Sequence, residues 1–95
     1  MHRKKCVRVI ITGVVQGVGF RWKARRIALP LDISGWIKNR PDGGVEAVFQ
    51  GSPGSVDQMI EWVKVGPPGA VVREVRTIPC DPDAGLSEFL ILRSS

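Results

Sequence analysis

Apolar positions in this chain switch between two periods, and the switches mark its elements. Residues 6–12 (CVRVIIT) are rich in β-branched side chains and stop at Gly13, which predicts a strand. Residues 13–19 (GVVQGVG) form a glycine-punctuated loop. From there Phe20, Ala24, Ile27, Ala28 and Leu31 recur along one helical face, and Pro30 weakens the helix near its end. Residues 34–39 (SGWIKN) and 45–50 (VEAVFQ) read as strands on either side of Arg40-Pro41-Asp42-Gly43-Gly44, a hairpin turn. Ser52 and Pro53 open a second helix as N-cap and first residue, with Val56, Met59, Ile60 and Val63 as its apolar stripe. Gly66-Pro67-Pro68-Gly69 ends that helix, and residues 71–79 (VVREVRTIP) read as a fourth strand in imperfect alternation, with Val71, Val75 and Ile78 as its apolar positions. A turn over 81–85 leads to a short apolar closing strand, 89–92 (FLIL).

The resulting order, β-α-β-β-α-β plus one closing strand, predicts an α+β domain. Two split β-α-β units form one antiparallel sheet with both helices on one face, the ferredoxin-like sandwich, and a short extra C-terminal strand follows. The 95 residues are one domain's worth of chain, expected to span 1–95 with 1–5 flexible, and they bury a single modest core. Unrelated functions use this arrangement, so the fold alone decides nothing about activity.

Charge narrows the field. Residues 1–40 carry ten bases and one acid, a net of +9, whereas residues 41–95 carry four bases and eight acids, a net of −4. A half-chain this basic suits an anionic partner, or else a solvated basic face. No apolar run approaches the roughly 20 residues that span a bilayer, and no signal-peptide pattern opens the chain, so a cytoplasmic protein without membrane contact is expected. His2 is the single imidazole and the two cysteines, Cys6 and Cys80, form no C-x-x-C. A four-ligand zinc site is therefore not expected, nor a Ser-His-Asp or Cys-His arrangement unless His2 folds back.

The loop from Gly13 to Arg21 is where chemistry concentrates. Its three glycines permit backbone turns that point successive N–H groups inward, and it leads into a helix N-terminus; together these make an anion site. Arg21 adds a planar fork suited to phosphate. The stretch is neither a Walker A loop nor a dinucleotide fingerprint, and by itself it is equally compatible with a tight strand-to-helix turn.

Residues 11–21 (ITGVVQGVGFR) resemble the first signature of the acylphosphatase family at every restricted position. The second signature is matched by Gly35-Trp36-Ile37-Lys38-Asn39 followed by Gly43, Val45 and Gly51, with Ile37 standing where Val, Ala or Cys is usual. Gly66-Pro67-Pro68 and Phe89-x-Ile91 extend the similarity to roughly residues 6–93. The resemblance implies a hydrolase that cleaves the carboxyl–phosphate bond of acyl phosphates. It places phosphate binding on Arg21, the cradle of amides on Gln16, Gly17, Val18, Gly19 and Phe20, and water positioning on Asn39. Such chemistry fits the inventory: the leaving carboxylate needs no general acid, and a loose phosphoryl transition state is served by clamping and alignment.

No metal or cofactor is expected, and the expected partner is a small-molecule acyl phosphate met by a monomer, with no nucleic acid. The competing reading is a non-catalytic phosphate- or RNA-binding module. An RNA-binding module would use aromatics on the open sheet face, but strand 45–50 carries one aromatic and no Lys/Arg-Gly-Phe/Tyr pattern. Leu29-Pro30-Leu31-Asp32 replaces the Leu-Gly that more often ends the first helix in the family, with consequences for stability rather than activity. Trp22, Trp36 and Trp62 are expected in core or subsurface packing. Lys23, Arg25 and Arg26 make the first helix basic, either as a solvated face or to steer an anion. In a ferredoxin-like sheet Cys6 and Cys80 lie on neighbouring antiparallel strands, so a disulfide and two free thiols are both open.

Overall fold

The computed structural model describes residues 3–93, which leaves His2 outside the described part. The elements are β1 (Lys5–Val14), α1 (Phe20–Ala28), β2 (Ser34–Asn39), β3 (Val45–Gly51), α2 (Pro53–Val63), β4 (Val71–Cys80) and β5 (Phe89–Ile91). They form one five-stranded sheet in the order β4-β1-β3-β2-β5. Lys5 belongs to β1, and its Nζ lies 2.8 Å from Asp57 on α2.

Four strands pair antiparallel as the alternation predicts, but β5 runs parallel to β2, so the sheet is mixed. The reason is where the chain leaves β4. It exits at Cys80, beside the start of β1 and at the same end as the start of β2, then crosses to the far edge and necessarily runs along with β2. Gln50, fully buried on β3, fastens this crossing: its Nε2 donates to the Asp83 carbonyl (2.8 Å) and its Oε1 accepts from the Asp83 N–H (2.7 Å). Both ends of the buried amide are thereby satisfied.

One face of the sheet carries the helices. Val9 and Ile11 of β1, Ile37 of β2, and Val45, Ala47 and Phe49 of β3 meet Phe20, Ala24 and Ala28 of α1 and Val56, Met59 and Val63 of α2. These are the predicted helical stripes, with Ile60 at their margin. Ser52 Oγ accepts from the Ser55 N–H and Pro53 occupies the first turn, where no N–H partner is needed.

The end of α1 settles what replaces a terminal glycine. Ile33 N–H reaches the Ala28 carbonyl (3.1 Å) and Asp32 N–H the Leu29 carbonyl (3.1 Å), while Asp32 adopts φ 57°. That is a Schellman closure with an aspartate in the left-handed position. Asp32→Gly should raise unfolding stability by about 0.5–1 kcal/mol, because glycine enters this region without steric cost and a carboxylate at a helix C-terminus is unfavourable. Urea denaturation checks this: a lower midpoint for the glycine variant would count against it.

β4 departs from its predicted pattern. Val72 and Val75, rather than Val71 and Ile78, lean on the core, while Val71 and Ile78 are exposed. The register with β1 shifts between Thr12 and Gly13, so Glu74 faces Thr12, Val72 faces Gly13, and Arg73 is the extra residue of a bulge. Two positions three apart therefore share a face.

Cys6 and Cys80 sit directly opposite in the β1–β4 register, with Cα atoms 5.2 Å apart, and are joined as a disulfide. Trp62, partly buried, packs edge-on against Phe20 with ring centroids 5.3 Å apart, in keeping with subsurface packing. Trp36 is half-buried on the open sheet face with the Lys38 ammonium 5.4 Å from its ring centroid. Trp22 overturns the expectation of burial: it is 65% exposed, because it faces away from the Phe20–Ala24–Ala28 stripe of α1.

Candidate active site

The loop between β1 and α1 has the backbone that its glycines permit. Gly17 and Gly19 take φ 76° and 77°, and Val18 between them does not have a positive φ. Alternation of hand along three residues turns their N–H groups toward a common concavity. No backbone N–H from Gln16 to Trp22 donates to an acceptor among the described residues; the first bond of α1 is Lys23 N–H to the Gly19 carbonyl. The helix has no side-chain cap and no acid in its first turn, whereas Arg25 and Arg26 stand in its last turn. The positive end of its dipole is thus left unneutralised toward the loop, and the basic residues complement the opposite end. Val18 leans on the core and Phe20 is buried against Trp62, so the loop is seated on packed side chains.

Gln16 occupies its place by a route that composition does not reveal. Its Nε2 donates to the carbonyls of Arg40 and Gly44, both at 2.8 Å, which ties the loop to the β2–β3 hairpin. Its side chain is therefore spent on the scaffold. Ile11, Val45 and Asn39 stand side by side across β1, β3 and β2, so Asn39 ends its strand level with the last turns of β1, next to the residue that Gln16 grips. Arg21 lies on the first turn of α1 and lines a groove shared with Ile91, whose partner on β2 is Ile37, two residues before Asn39. Loop, Arg21 and Asn39 consequently gather at one end of the sheet.

Charge at that end is divided between two arginines with different fates. Arg40 Nε reaches Asp42 (3.1 Å) and its Nη1 reaches Glu46 (3.0 Å), and Arg8 contacts the other oxygen of Glu46. The hydrogen bond to Asp42 is the largest of the effects raising the Arg40 pKa, and Asp42 is held below the usual carboxylate range first by the Gly44 N–H and then by Arg40. Arg40 is accordingly neutralised where it stands, and Asp42 acts as a turn former. None of the ion pairs among the described residues involves Arg21. This end of the molecule thus presents an arginine free to meet an anion, a row of unpaired N–H donors and an amide side chain, a set that can enclose a tetrahedral oxyanion. No cluster of three His, Cys, Asp or Glu able to hold a metal occurs among the described residues, and no described helix is long and apolar enough to cross a membrane.

Comparison with known proteins agrees with the two signatures. The acylphosphatase family model matches residues 7–91. The acylphosphatase of Trichormus variabilis is 46% identical over 87 residues, 92% of this chain and 85% of that protein. The solved acylphosphatase of Coxiella burnetii superposes with a TM-score of 0.88 at 36% identity, covering 94% of this chain and 93% of the other. That of Bacillus subtilis gives 0.88 at 34% identity over 93% and 98%. The expected ferredoxin-like architecture is thus the one these proteins share, and the chain belongs to the acylphosphatase family.

Proposed function

We propose that this protein hydrolyses acyl phosphates to a carboxylate and inorganic phosphate. The observation that carries the reading is the row of loop N–H groups with no acceptor among the described residues, opening onto the uncapped start of α1 beside Arg21, which enters no ion pair among those residues. In this reading the amides of Gln16, Gly17, Val18, Gly19 and Phe20 hold phosphoryl oxygens, and Arg21 spans two of them as a fork. Asn39 accepts a hydrogen bond from a water and holds it in line with the acyl oxygen. The water oxygen forms a bond to phosphorus as the bond from phosphorus to the acyl oxygen breaks. The carboxylate departs with that electron pair, and both protons of the water remain on the phosphate. The clamp opposes charge that spreads over the equatorial oxygens as the transition state loosens. Release of inorganic phosphate from benzoyl or acetyl phosphate, in the presence of a chelator, tests the reading; absence of turnover on both would end it.

Gln16 enters this scheme as a positioning residue. Gln16→Ala frees the loop from the hairpin, and turnover should fall roughly 10- to 100-fold, since misplacement by about 1 Å has effects of that size. KM should change far less than kcat, and Gln16→Glu, which turns a carboxylate toward two carbonyls, should be worse than alanine. An equal loss in KM and kcat would show that the side chain serves binding instead.

The reading extends to a monomer acting on a small diffusible anion in the cytoplasm. There the Cys6–Cys80 bond meets reducing thiols, and it lies about 30 Å along β1 from the loop at the usual strand rise. Reduction is expected to lower unfolding stability by about 2–4 kcal/mol while leaving the initial rate of the folded protein within twofold. Denaturation curves and rates measured with and without dithiothreitol check both halves.

A further inference from the structure

We propose that Glu46 is a positioning residue for the hydrolysis: through Arg40 it holds the β2–β3 hairpin, and with it Asn39 and the carbonyls that Gln16 grips, in register with the phosphate loop. The inference rests on the acyl phosphate reading and adds a residue to which neither signature gives a role. Glu46 alternates with Val45 and Ala47 of the core, so its carboxylate lies on the sheet face away from the helices, yet the residue is only 5% exposed. The base directly across from it in the β2–β3 register is Lys38. A cross-strand Lys–Glu pair would be the ordinary arrangement. Instead the Lys38 ammonium sits 5.4 Å from the Trp36 ring centroid and enters no ion pair among the described residues. Both carboxylate oxygens go to arginines from elsewhere: Oε2 meets Arg8 of β1, and Oε1 accepts from Arg40 Nη1 (3.0 Å) at the start of the hairpin turn.

Ion pairing at a site this buried adds little net stability, because desolvation offsets the attraction. The arrangement supplies direction instead, and Arg40 is the residue that carries it to the site. Arg40 follows Asn39 directly; its N–H donates to the Gly44 carbonyl (2.8 Å), and its own carbonyl accepts from the Gly43 N–H (3.2 Å) and from Gln16 Nε2 (2.8 Å). Gln16 thus grips the hairpin by its backbone, and Glu46 grips it by the Arg40 side chain. Among the described residues the Glu46 side chain bonds to Arg8 and Arg40 alone, so its effect on turnover passes through one of these two.

The test measures kcat and KM on benzoyl phosphate for Glu46→Ala, Glu46→Gln, Arg40→Ala and the double alanine variant, with Arg8→Ala as control and urea denaturation of each. In Glu46→Ala and in Arg40→Ala kcat should fall about tenfold, less than the roughly 100-fold that misplacement by about 1 Å can cause, because Gln16 still holds the turn. KM should stay within about threefold. The double variant should lose no more than either single one, since the two side chains act as a unit. Glu46→Gln, whose amide oxygen can still accept from Arg40 Nη1, should recover to within about threefold of wild type. Arg8→Ala removes the other partner of Glu46 and should lower the urea midpoint while leaving kcat within about twofold. If Glu46→Ala does not fold, Arg40→Ala carries the test, because its side chain is partly exposed. Wild-type kcat in folded Arg40→Ala overturns the brace. So does a kcat loss in Arg8→Ala equal to that in Glu46→Ala, or a double variant whose loss is the product of the two. Wild-type protein that turns over no acyl phosphate defeats the acyl phosphate reading, and this inference with it, which is a different result.

Discussion

Arg21→Ala should lower kcat/KM on an acyl phosphate by about 10³-fold or more, equivalent to about 4 kcal/mol of transition-state stabilisation. The expectation follows from which bases are available at the site. Arg40, beside Asn39, is held by Asp42 and Glu46, and so has no free fork to offer in place of Arg21. Arg25 is directed to the Phe89 carbonyl. The loop amides remain in the variant, so some anion binding persists, but the charge that counters the equatorial oxygens is gone. Arg21→Lys should recover only part of the loss, since an ammonium lacks the two-pronged geometry. Both kcat and the affinity for inorganic phosphate should fall. Steady-state rates with phosphate as competitive inhibitor are the measurement, and an alanine variant retaining a tenth of wild-type efficiency would remove Arg21 from the site.

Asn39→Ala should show a different signature. Its amide is assigned to the water rather than to the phosphate, so kcat should fall about 10²-fold or more while KM stays within about threefold. Asn39→Asp should not restore activity: the carboxylate can accept from water, but it places a negative charge against an anionic substrate. A change confined to KM would reassign Asn39 to substrate binding. Running both variants in a chelator also tests whether a metal contributes, because loss of wild-type activity under those conditions would call for one.

How far the sequence led depended on the range of the interactions involved. The stripes of α1 and α2, the Ser52–Pro53 start and the Arg40–Gly44 turn follow from neighbours within a few residues, and they stand where periodicity and turn chemistry placed them. The faces of β4 were not legible, because the bulge opposite Thr12 and Gly13 is a property of two strands about 60 residues apart. The direction of β5 depends on the crossing that Gln50 fastens, and nothing in residues 89–92 encodes it. The same limit applies to the candidate site. Arg21, Asn39 and the glycine loop stood out through the two signatures. The double bond of Gln16 to the hairpin is long-range and left no local trace. Trp22 misled because residue type argues for burial, whereas its helical position turns it outward.

The strand order also has a kinetic consequence. The loop hangs from β1 and the hairpin joins β2 to β3, so the two halves of the site meet only when β1 pairs with β3, roughly 40 residues away, and β1 must also find β4, roughly 65 residues away. Such high contact order places folding on the slow side, toward milliseconds to seconds rather than microseconds. A partly folded chain holding α1 and its flanking strands would carry the loop, Arg21 and Asn39, but without β3 between β1 and β2 they would not be aligned. Return of activity during refolding should therefore track the last cooperative phase, and turnover becomes a clock for completion of the sheet.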